Sequence, residues 1–471
     1  MNGNVQRVEK RSVGDDVARS VAGAIGRRAF LQRVAGAAAL AALPGGLAAC
    51  AGRAPERRGP PNLLLIMADD LGYGDIGAFG GDYTTPALDR LIAGGVRLTQ
   101  AYAAAPVCSP TRVALMTGAY PARTEVGLYE PLTTHPVGLP PDPPTLPRRL
   151  KDAGYETALI GKWHLGTLPE FHPLRHGFDE FYGFLGAAAD YVSHVDSEHG
   201  TELFYDGETP ARVEGYLTDL FTERAVQFIT RQRSAPFFLS LQYNAPHWPW
   251  QAPGDPPYPD SLAWKGGGSP ETYARMVESL DAGIGRVLDA LASHGLEENT
   301  LVIFTSDNGG ERFSNMGPLR GGKMTLWEGG IRVAAAARWP GVIPAGTETD
   351  QVVITMDWTA TLLSAAGIEL DADAAPDGID LLPVLTGASA PSARELFWRT
   401  YQRTRHKAMR GGDWKYLATE EGEFLFDLET DPGETRDRKE DQPDLFERFK
   451  ATYARWEAQM LEPIPLDPAR A

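Results

Sequence analysis

Four short runs of the chain are apolar at almost every position, and each stops at a polar cluster. Residues 62–67 (Asn-Leu-Leu-Leu-Ile-Met) lead to Asp69 and Asp70. Residues 157–160 lead to Gly161-Lys162-Trp163-His164, and 236–242 to Asn244-Ala245-Pro246-His247. Residues 300–305 lead to Ser306-Asp307-Asn308-Gly309. An unbroken apolar run bounded by polar residues is how a strand buried on both faces reads. Between these runs lie apolar positions at helical spacing, over 86–93, 146–153, 216–231 and 271–292. Alternating strands and helices predict an α/β fold, with a large, mainly parallel sheet sandwiched by helices. The pattern changes after about residue 391. Short runs at 396–401, 407–409, 414–417 and 424–428 are separated by turn residues, and 445–460 has helical period. That stretch predicts a small antiparallel sheet with a helix on it. The expected layout is a main domain at 62–390 and a C-terminal subdomain at 391–471.

Composition adds limits. With 43% hydrophobic and 23% charged residues, the 471-residue chain has the make-up of a folded globular protein. A net charge of −17 argues against general nucleic-acid binding. The two cysteines, Cys50 and Cys108, exclude a disulfide framework, so each needs its own explanation.

The first 49 residues read as an export signal. Arg27-Arg28 precede Phe30-Leu31 and a short Ala/Gly-rich apolar run, which ends in Leu47-Ala48-Ala49-Cys50. The arginine pair resembles a twin-arginine signal, with Gly26 where Ser or Thr is usual. Leu-Ala-Ala-Cys resembles a bacterial lipoprotein box. On that reading Cys50 is lipidated, residues 50–61 are a tether, and the protein sits in the periplasm or at the cell surface, anchored to the membrane.

Sites in open α/β sheets form just past the C-terminal ends of the strands, where the four polar clusters fall. A fifth motif, Cys108-Ser109-Pro110-Thr111-Arg112, follows a run at 96–103 that reads as one strand, and opens a helix-like stretch, with Pro110 suited to a first turn. From residue chemistry alone, Cys108 is either a nucleophile activated by the helix N-terminus and Arg112, or a small buried residue.

Cys-x-Pro-x-Arg followed by Thr117-Gly118 resembles the signature of the type I sulfatases, in the alkaline phosphatase superfamily. Further stretches resemble the same family, among them Asp69-Asp70-Leu-Gly-Tyr-Gly-Asp75, Gly161-Lys162-Trp-His164-Leu-Gly166, Ser306-Asp307-Asn308-Gly-Gly310, Gly317-Pro-Leu-Arg-Gly-Gly-Lys323 and Asp431-Pro-Gly-Glu434. The resemblance runs from about residue 61 to the C-terminus. It implies that a formylglycine-generating enzyme oxidises Cys108 to formylglycine, whose hydrate attacks the sulfur of a sulfate ester. Asp69, Asp70, Asp307 and Asn308, with the modified Cys108, would hold calcium or magnesium, because hard oxygen donors suit those ions. By the same resemblance Arg112 orients the hydrate, and Lys162 and Lys323 carry positive charge to the sulfate oxygens. His164 deprotonates the second hydroxyl, and His247 protonates the leaving alcohol. The substrate the resemblance implies is a carbohydrate sulfate or an aryl sulfate. Two alternatives are a phosphonate or phosphodiester hydrolase of the same superfamily, and a lipoprotein that binds sulfated ligands without turnover if Cys108 is not matured. Segments 187–215 and 248–269 are expected at the pocket rim, with Tyr191, Trp248, Trp250 and Trp264 as candidates to stack on a ring.

Overall fold

The computed structural model describes residues 59–131, 137–196, 204–258, 266–369, 376–401 and 404–463. The export signal, Cys50 and the tether up to residue 58 lie outside the described residues.

The described strands, in chain order, are β1 (Asn62–Asp69), β2 (Val96–Leu98), β3 (Ala101–Tyr102), β4 (Glu156–Lys162), β5 (Glu180–Phe184), β6 (Phe204–Asp206), β7 (Thr209–Pro210) and β8 (Phe237–Pro246). They continue with β9 (Thr300–Ser306), β10 (Ala335–Arg338), β11 (Thr347–Thr349), β12 (Val353–Ile354), β13 (Glu395–Arg399), β14 (Lys407–Gly411), β15 (Trp414–Thr419) and β16 (Gly422–Asp427). The helices are α1 (Pro86–Ala93), α2 (Cys108–Thr117), α3 (Leu146–Asp152), α4 (Leu217–Ile229), α5 (Pro270–Ser293), α6 (Glu328–Ile331), α7 (Thr355–Ala365), α8 (Leu382–Leu385) and α9 (Pro443–Glu457).

One large sheet runs in the order β11-β2-β10-β9-β1-β8-β4-β5-β6-β7. Its centre, β9-β1-β8-β4-β5, is parallel throughout. The antiparallel pairings lie outward, at β10 and at β6–β7. The unbroken apolar reading of β1 has a direct cause. Leu64 and Ile66 face one core, shared with Phe221 and Phe228 of α4 and Met276, Leu280 and Ile284 of α5. Leu63, Leu65 and Met67 face the other, shared with Val113 and Leu115 of α2, Leu146 and Leu150 of α3, and Trp358 and Leu362 of α7. Period-two alternation thus distributes apolar side chains to both faces. Each fully buried Leu or Ile contributes about 1.5–3 kcal/mol of hydrophobic stabilisation.

The single run expected at 96–103 is broken in two. β2 joins the large sheet, whereas β3 pairs with β12 in a separate two-stranded sheet. Between them, the Thr99 carbonyl accepts hydrogen bonds from the Arg332 guanidinium and the Tyr73 hydroxyl instead of a strand partner. β8 runs beyond the expected end at residue 242, because its ladder with β1 resumes after a bulge, at Asp69 opposite Pro246.

The C-terminal strands form the antiparallel sheet β13-β14-β15-β16. Its apolar side chains, Leu396, Trp398, Met409, Leu417 and Phe426, share a third core with Tyr102, Ala114, Leu326 and Trp327. Phe449, Tyr453 and Trp456 of α9 belong to the same core.

Candidate active site

The parallel strands at the centre of the sheet deliver their polar residues to one place. Asp69 is the last residue of β1, Lys162 the last of β4, and His247 follows β8 directly. Asp307 and Asn308 follow β9. The chain reverses sharply after β1, with Asp70 at φ 64°, a left-handed conformation that Asp tolerates better than most residues. That turn aims the Asp70 N–H at Asp307 Oδ1, 3.2 Å away. Cys108 is the first residue of α2 and its side chain is buried.

Contacts among these side chains are short. Lys162 Nζ lies 2.6 Å from Asp69 Oδ2, and Lys323 Nζ lies 2.7 Å from Asp70 Oδ2. Arg112 donates to Asp307 Oδ2 from Nη2 at 2.9 Å and from Nε at 3.2 Å. Its Nη1 reaches Gln242 Oε1 at 3.0 Å and the Lys162 carbonyl at 3.2 Å. The Cys108 sulfur sits 3.3 Å from Asp69 Oδ1. Asn308 Nδ2 donates to Asp70 Oδ1 at 2.7 Å, which turns Asn308 Oδ1 the other way. His247 Nε2 stands 3.6 Å from Asp70 Oδ2. His247 Nδ1 lies 2.6 Å from the Trp248 carbonyl, which can only accept, so Nδ1 carries the hydrogen and Nε2 faces the carboxylates.

Three carboxylates, Asp69, Asp70 and Asp307, therefore face three cationic side chains, Arg112, Lys162 and Lys323. Burial raises the carboxyl of Asp70 to about 6, with Lys323 opposing the shift. Burial, and then the neighbouring Asp69, also raises Asp307. Burial alone would lower Lys162 and Lys323, but Asp69 beside the first and Asp70 beside the second outweigh it. Burial and the nearby lysines hold His164 and His247 well below the usual imidazole range.

The donor set fits a hard divalent cation. Carboxylate oxygens of Asp69, Asp70 and Asp307 are joined by Asn308 Oδ1, which is buried with no hydrogen-bond partner among the described residues. An orphaned buried amide oxygen is costly unless a cation or water meets it. One ligand atom each from Asp69, Asp70, Cys108 and His247 lies within 4.8 Å of the others.

One bare reading of the sequence is corrected here. The Cys108 thiol is not activated by its helix and Arg112. Burial, Asp307 and Asp69 push it well above the ordinary thiol range, while Arg112 turns to Asp307, Gln242 and Lys162. Two of the four aromatic candidates are also corrected, because Tyr191 and Trp250 are buried in the core beside α4 and α5. The Tyr191 hydroxyl contacts the Asn244 and His247 carbonyls and so braces the chain that carries His247. Trp248 packs tilted against His247, their ring centroids 4.7 Å apart, and Trp264 lies outside the described residues.

Sequence reasoning missed Gln242 and Glu130. Gln242 is a buried amide in a strand that otherwise reads as core, and that polar interruption was the available signal. A ligand atom of Glu130 lies within 4.8 Å of both the Cys108 sulfur and a ring nitrogen of His164. No local pattern around Glu130 announces this, because the three residues meet only through the fold.

Comparison with known proteins bears on this geometry. A family model described as Sulfatase matches residues 61–368. A second, described as N-sulphoglucosamine sulphohydrolase, C-terminal, matches residues 322–454. The chain is 39% identical over 355 residues to N-acetylgalactosamine-6-sulfatase of Sus scrofa, an alignment covering 69% of this chain and 66% of that protein. The chain thus spans slightly under two thirds of that relative's length. It is 34% identical over 505 residues to steryl-sulfatase of Mus musculus, covering 82% and 79% of the two chains. Among solved structures, Ps i-CgsB in complex with k-i-k-neocarrahexaose superposes with a TM-score of 0.79 at 31% identity, over 87% of this chain and 96% of that one. The PsFucS1 sulfatase from Pseudoalteromonas sp. superposes at 0.70 and 26% identity, over 86% and 92%.

Proposed function

The chain belongs to the sulfatase family, and on that premise we propose that it is a sulfuric ester hydrolase acting on a sulfated carbohydrate. The observation that carries the reading is the convergence of three carboxylates and three buried cations on Cys108, at the C-terminal edge of the parallel sheet. The carbohydrate preference is supported by the N-acetylgalactosamine-6-sulfatase relatives and by the oligosaccharide complex of Ps i-CgsB.

Asp69, Asp70, Asp307 and Asn308 would hold calcium or magnesium. When bound, the ion supplies Lewis acidity and a template for oxygen atoms of the substrate and the nucleophile. The residues themselves do the following. Cys108, oxidised to formylglycine by a formylglycine-generating enzyme, adds water to become a gem-diol. One hydroxyl attacks the sulfur, and the sulfur–oxygen bond to the sugar breaks. His247 gives the leaving oxygen a proton from Nε2. The substrate's negative charge favours the imidazolium there, opposing the burial and the nearby lysines that hold the ring neutral. Lys162 and Lys323 neutralise charge developing on the sulfate oxygens. His164 takes the proton of the second hydroxyl, the carbon–oxygen bond to sulfate breaks, and the aldehyde re-forms. Arg112 holds Asp307 and the end of β4 in place for these steps.

Residues 1–49 would direct export by the twin-arginine route. The lipid on Cys50 would tie the protein to the membrane, in the periplasm or at the cell surface.

The test is hydrolysis of defined sulfated mono- and disaccharides by the matured, metal-loaded enzyme, against matched phosphate esters. Release of sulfate from at least one saccharide, faster than phosphate from its counterpart, is expected. Preferential phosphate release would overturn the reading.

A further inference from the structure

Lys323 sits in a loop between β9 and α6, and the C-terminal sheet grips the residues that follow it at alternate positions. The Met324 carbonyl accepts from Thr404 Oγ1 at 2.8 Å. The Leu326 N–H donates to His406 Nδ1 at 3.2 Å. The Glu328 N–H donates to Glu434 Oε2 at 2.6 Å. Thr404 and His406 precede β14, and Glu434 follows β16. Upstream in the same loop Arg320 Nη1 donates to the Glu434 carbonyl at 3.4 Å, while Lys323 N–H bonds to the Gly310 carbonyl and Met324 N–H to the Pro106 carbonyl.

Two of these grips are chemically specific. A backbone N–H only donates, so His406 Nδ1 is an acceptor, and Nε2–H donates to Glu420 Oε2 at 2.9 Å. The ring is thereby fixed as one neutral tautomer. The third grip is an ionic cluster. Lys415 Nζ of β15 lies 2.9 Å from Glu328 Oε1 and 2.8 Å from Glu434 Oε1, with all three side chains at 0% exposure or within the core. Glu328 Oε2 also accepts from the Tyr102 hydroxyl at 2.6 Å. Apolar residues of similar size often stabilise a protein as well as a buried ion cluster does. What they cannot supply is direction, and this cluster directs the backbone at Glu328.

We propose that His406 and the Lys415–Glu434 pair are positioning residues for Lys323, so that the C-terminal sheet sets the place of one of the two sulfate-binding ammonium groups. Lys162, by contrast, is set by the parallel sheet as the last residue of β4. The two cations that meet the sulfate are therefore placed by different parts of the fold. The inference rests on the reading of Lys323 as a sulfate-binding group.

The test uses full-length, matured enzyme, with inorganic sulfate as the binding probe in calorimetry and para-nitrophenyl sulfate as substrate. His406→Phe and Glu434→Leu are compared in the wild-type and Lys323→Ala backgrounds. In the wild-type background each should weaken sulfate binding and raise KM between about 10-fold and 100-fold, the range expected when a reacting group is misplaced by roughly an ångström. In the Lys323→Ala background neither should have any further effect. His406→Asn, which keeps an acceptor near the place of Nδ1, should restore most of the lost affinity. Equal losses in both backgrounds, or no loss in a folded variant, would overturn the proposal. If Glu434→Leu does not fold, His406→Phe and Thr404→Val decide the matter alone. Should Lys323→Ala itself leave sulfate affinity unchanged, the reading of Lys323 fails first, and the positioning proposal with it.

Discussion

Cys108 has poor surroundings for a thiolate and suitable ones for an oxygen nucleophile. Two carboxylates and complete burial disfavour a negative sulfur there. A neutral gem-diol at the same position bears no such penalty. Peptide mass spectrometry after co-expression with a maturation enzyme should find the aldehyde at residue 108. Cys108→Ala should fold normally and lose nearly all turnover, and a fully active Cys108→Ala enzyme would refute the mechanism. The two histidines separate by step. On an activated aryl sulfate, His247→Ala should retain most of its rate, because a good leaving group needs no proton. On a saccharide sulfate it should lose about 10²–10⁴-fold. His164→Ala should release a burst of phenol and then stall, with the sulfated enzyme visible by mass. Equal losses with no burst would mean that the histidine roles are misassigned. Asp307→Ala should abolish metal binding and activity together. Asp307 is a hard-ion ligand in this reading, and it is also the carboxylate that holds Arg112.

At the scale of elements, the parallel strands do more than display residues. β8, β4 and β5 approach one another very closely at the end that carries the site. Gly161 pairs with Gln242 on one side and Gly183 on the other, at φ 114°. A Cβ on Gly161 would stand 1.9 Å from the Gln242 carbonyl oxygen. Backbone cannot yield as a flexible side chain can, so Gly161→Ala should destabilise the protein by about 2–4 kcal/mol in denaturant titrations. It should also weaken sulfate binding, because Lys162 is the next residue. An Ala variant of unchanged stability and affinity would show that the strand ends can separate without consequence. The sequence motif Gly161-Lys162 is thus explained at this scale, since glycine lets the strand ends close and lysine uses the closure.

At the scale of the whole molecule, a chain of net charge −17 presents a site where Asp69, Asp70 and Asp307 are matched by Arg112, Lys162 and Lys323, with Glu130 as a further carboxylate nearby. A divalent cation would make that site locally positive, which is how an acidic protein can attract a sulfate ester. Stability should also depend on pH through His176, which packs against Trp163 with ring centroids 5.2 Å apart. Burial lowers this imidazole to about 4 from an ordinary 6.5. The unfolded chain therefore binds a proton at a higher pH than the folded one. The contribution is complete above pH 6.5 and is lost as pH falls towards 4, up to roughly 3 kcal/mol for this group. His176→Phe should lose less stability than wild type between pH 6.5 and 4 in denaturant titrations, and identical losses would exclude this residue as a source. For the proposed lipid anchor, Cys50→Ala should shift the protein from the membrane to the soluble fraction. A wild-type protein that is soluble and begins at a residue other than Cys50 would refute it.

What the sequence determined by itself is whatever short-range pattern encodes. Asn62–Asp69 reads as a doubly buried strand because consecutive side chains serve two cores. The motif residues Asp69, Asp70, Cys108, Arg112, Lys162, Asp307 and Asn308 were legible because each sits in a short stretch whose spacing is set by one strand end or one helix start. Their resemblance to a known family then supplied roles that spacing alone could not. The tertiary structure decided everything that depends on which distant segments meet. It broke the run at 96–103 between two sheets, because Arg332 and Tyr73 take the Thr99 carbonyl. It placed Tyr191 and Trp250 inside the core, although their loops read as a pocket rim. It brought Glu130 beside Cys108 and His164, and Gln242 beside Arg112. It also placed Thr404, His406 and Glu434 along the residues that follow Lys323. Contacts across such separations leave no periodicity in the chain, since they arise only once the sheet order is set and its faces are covered.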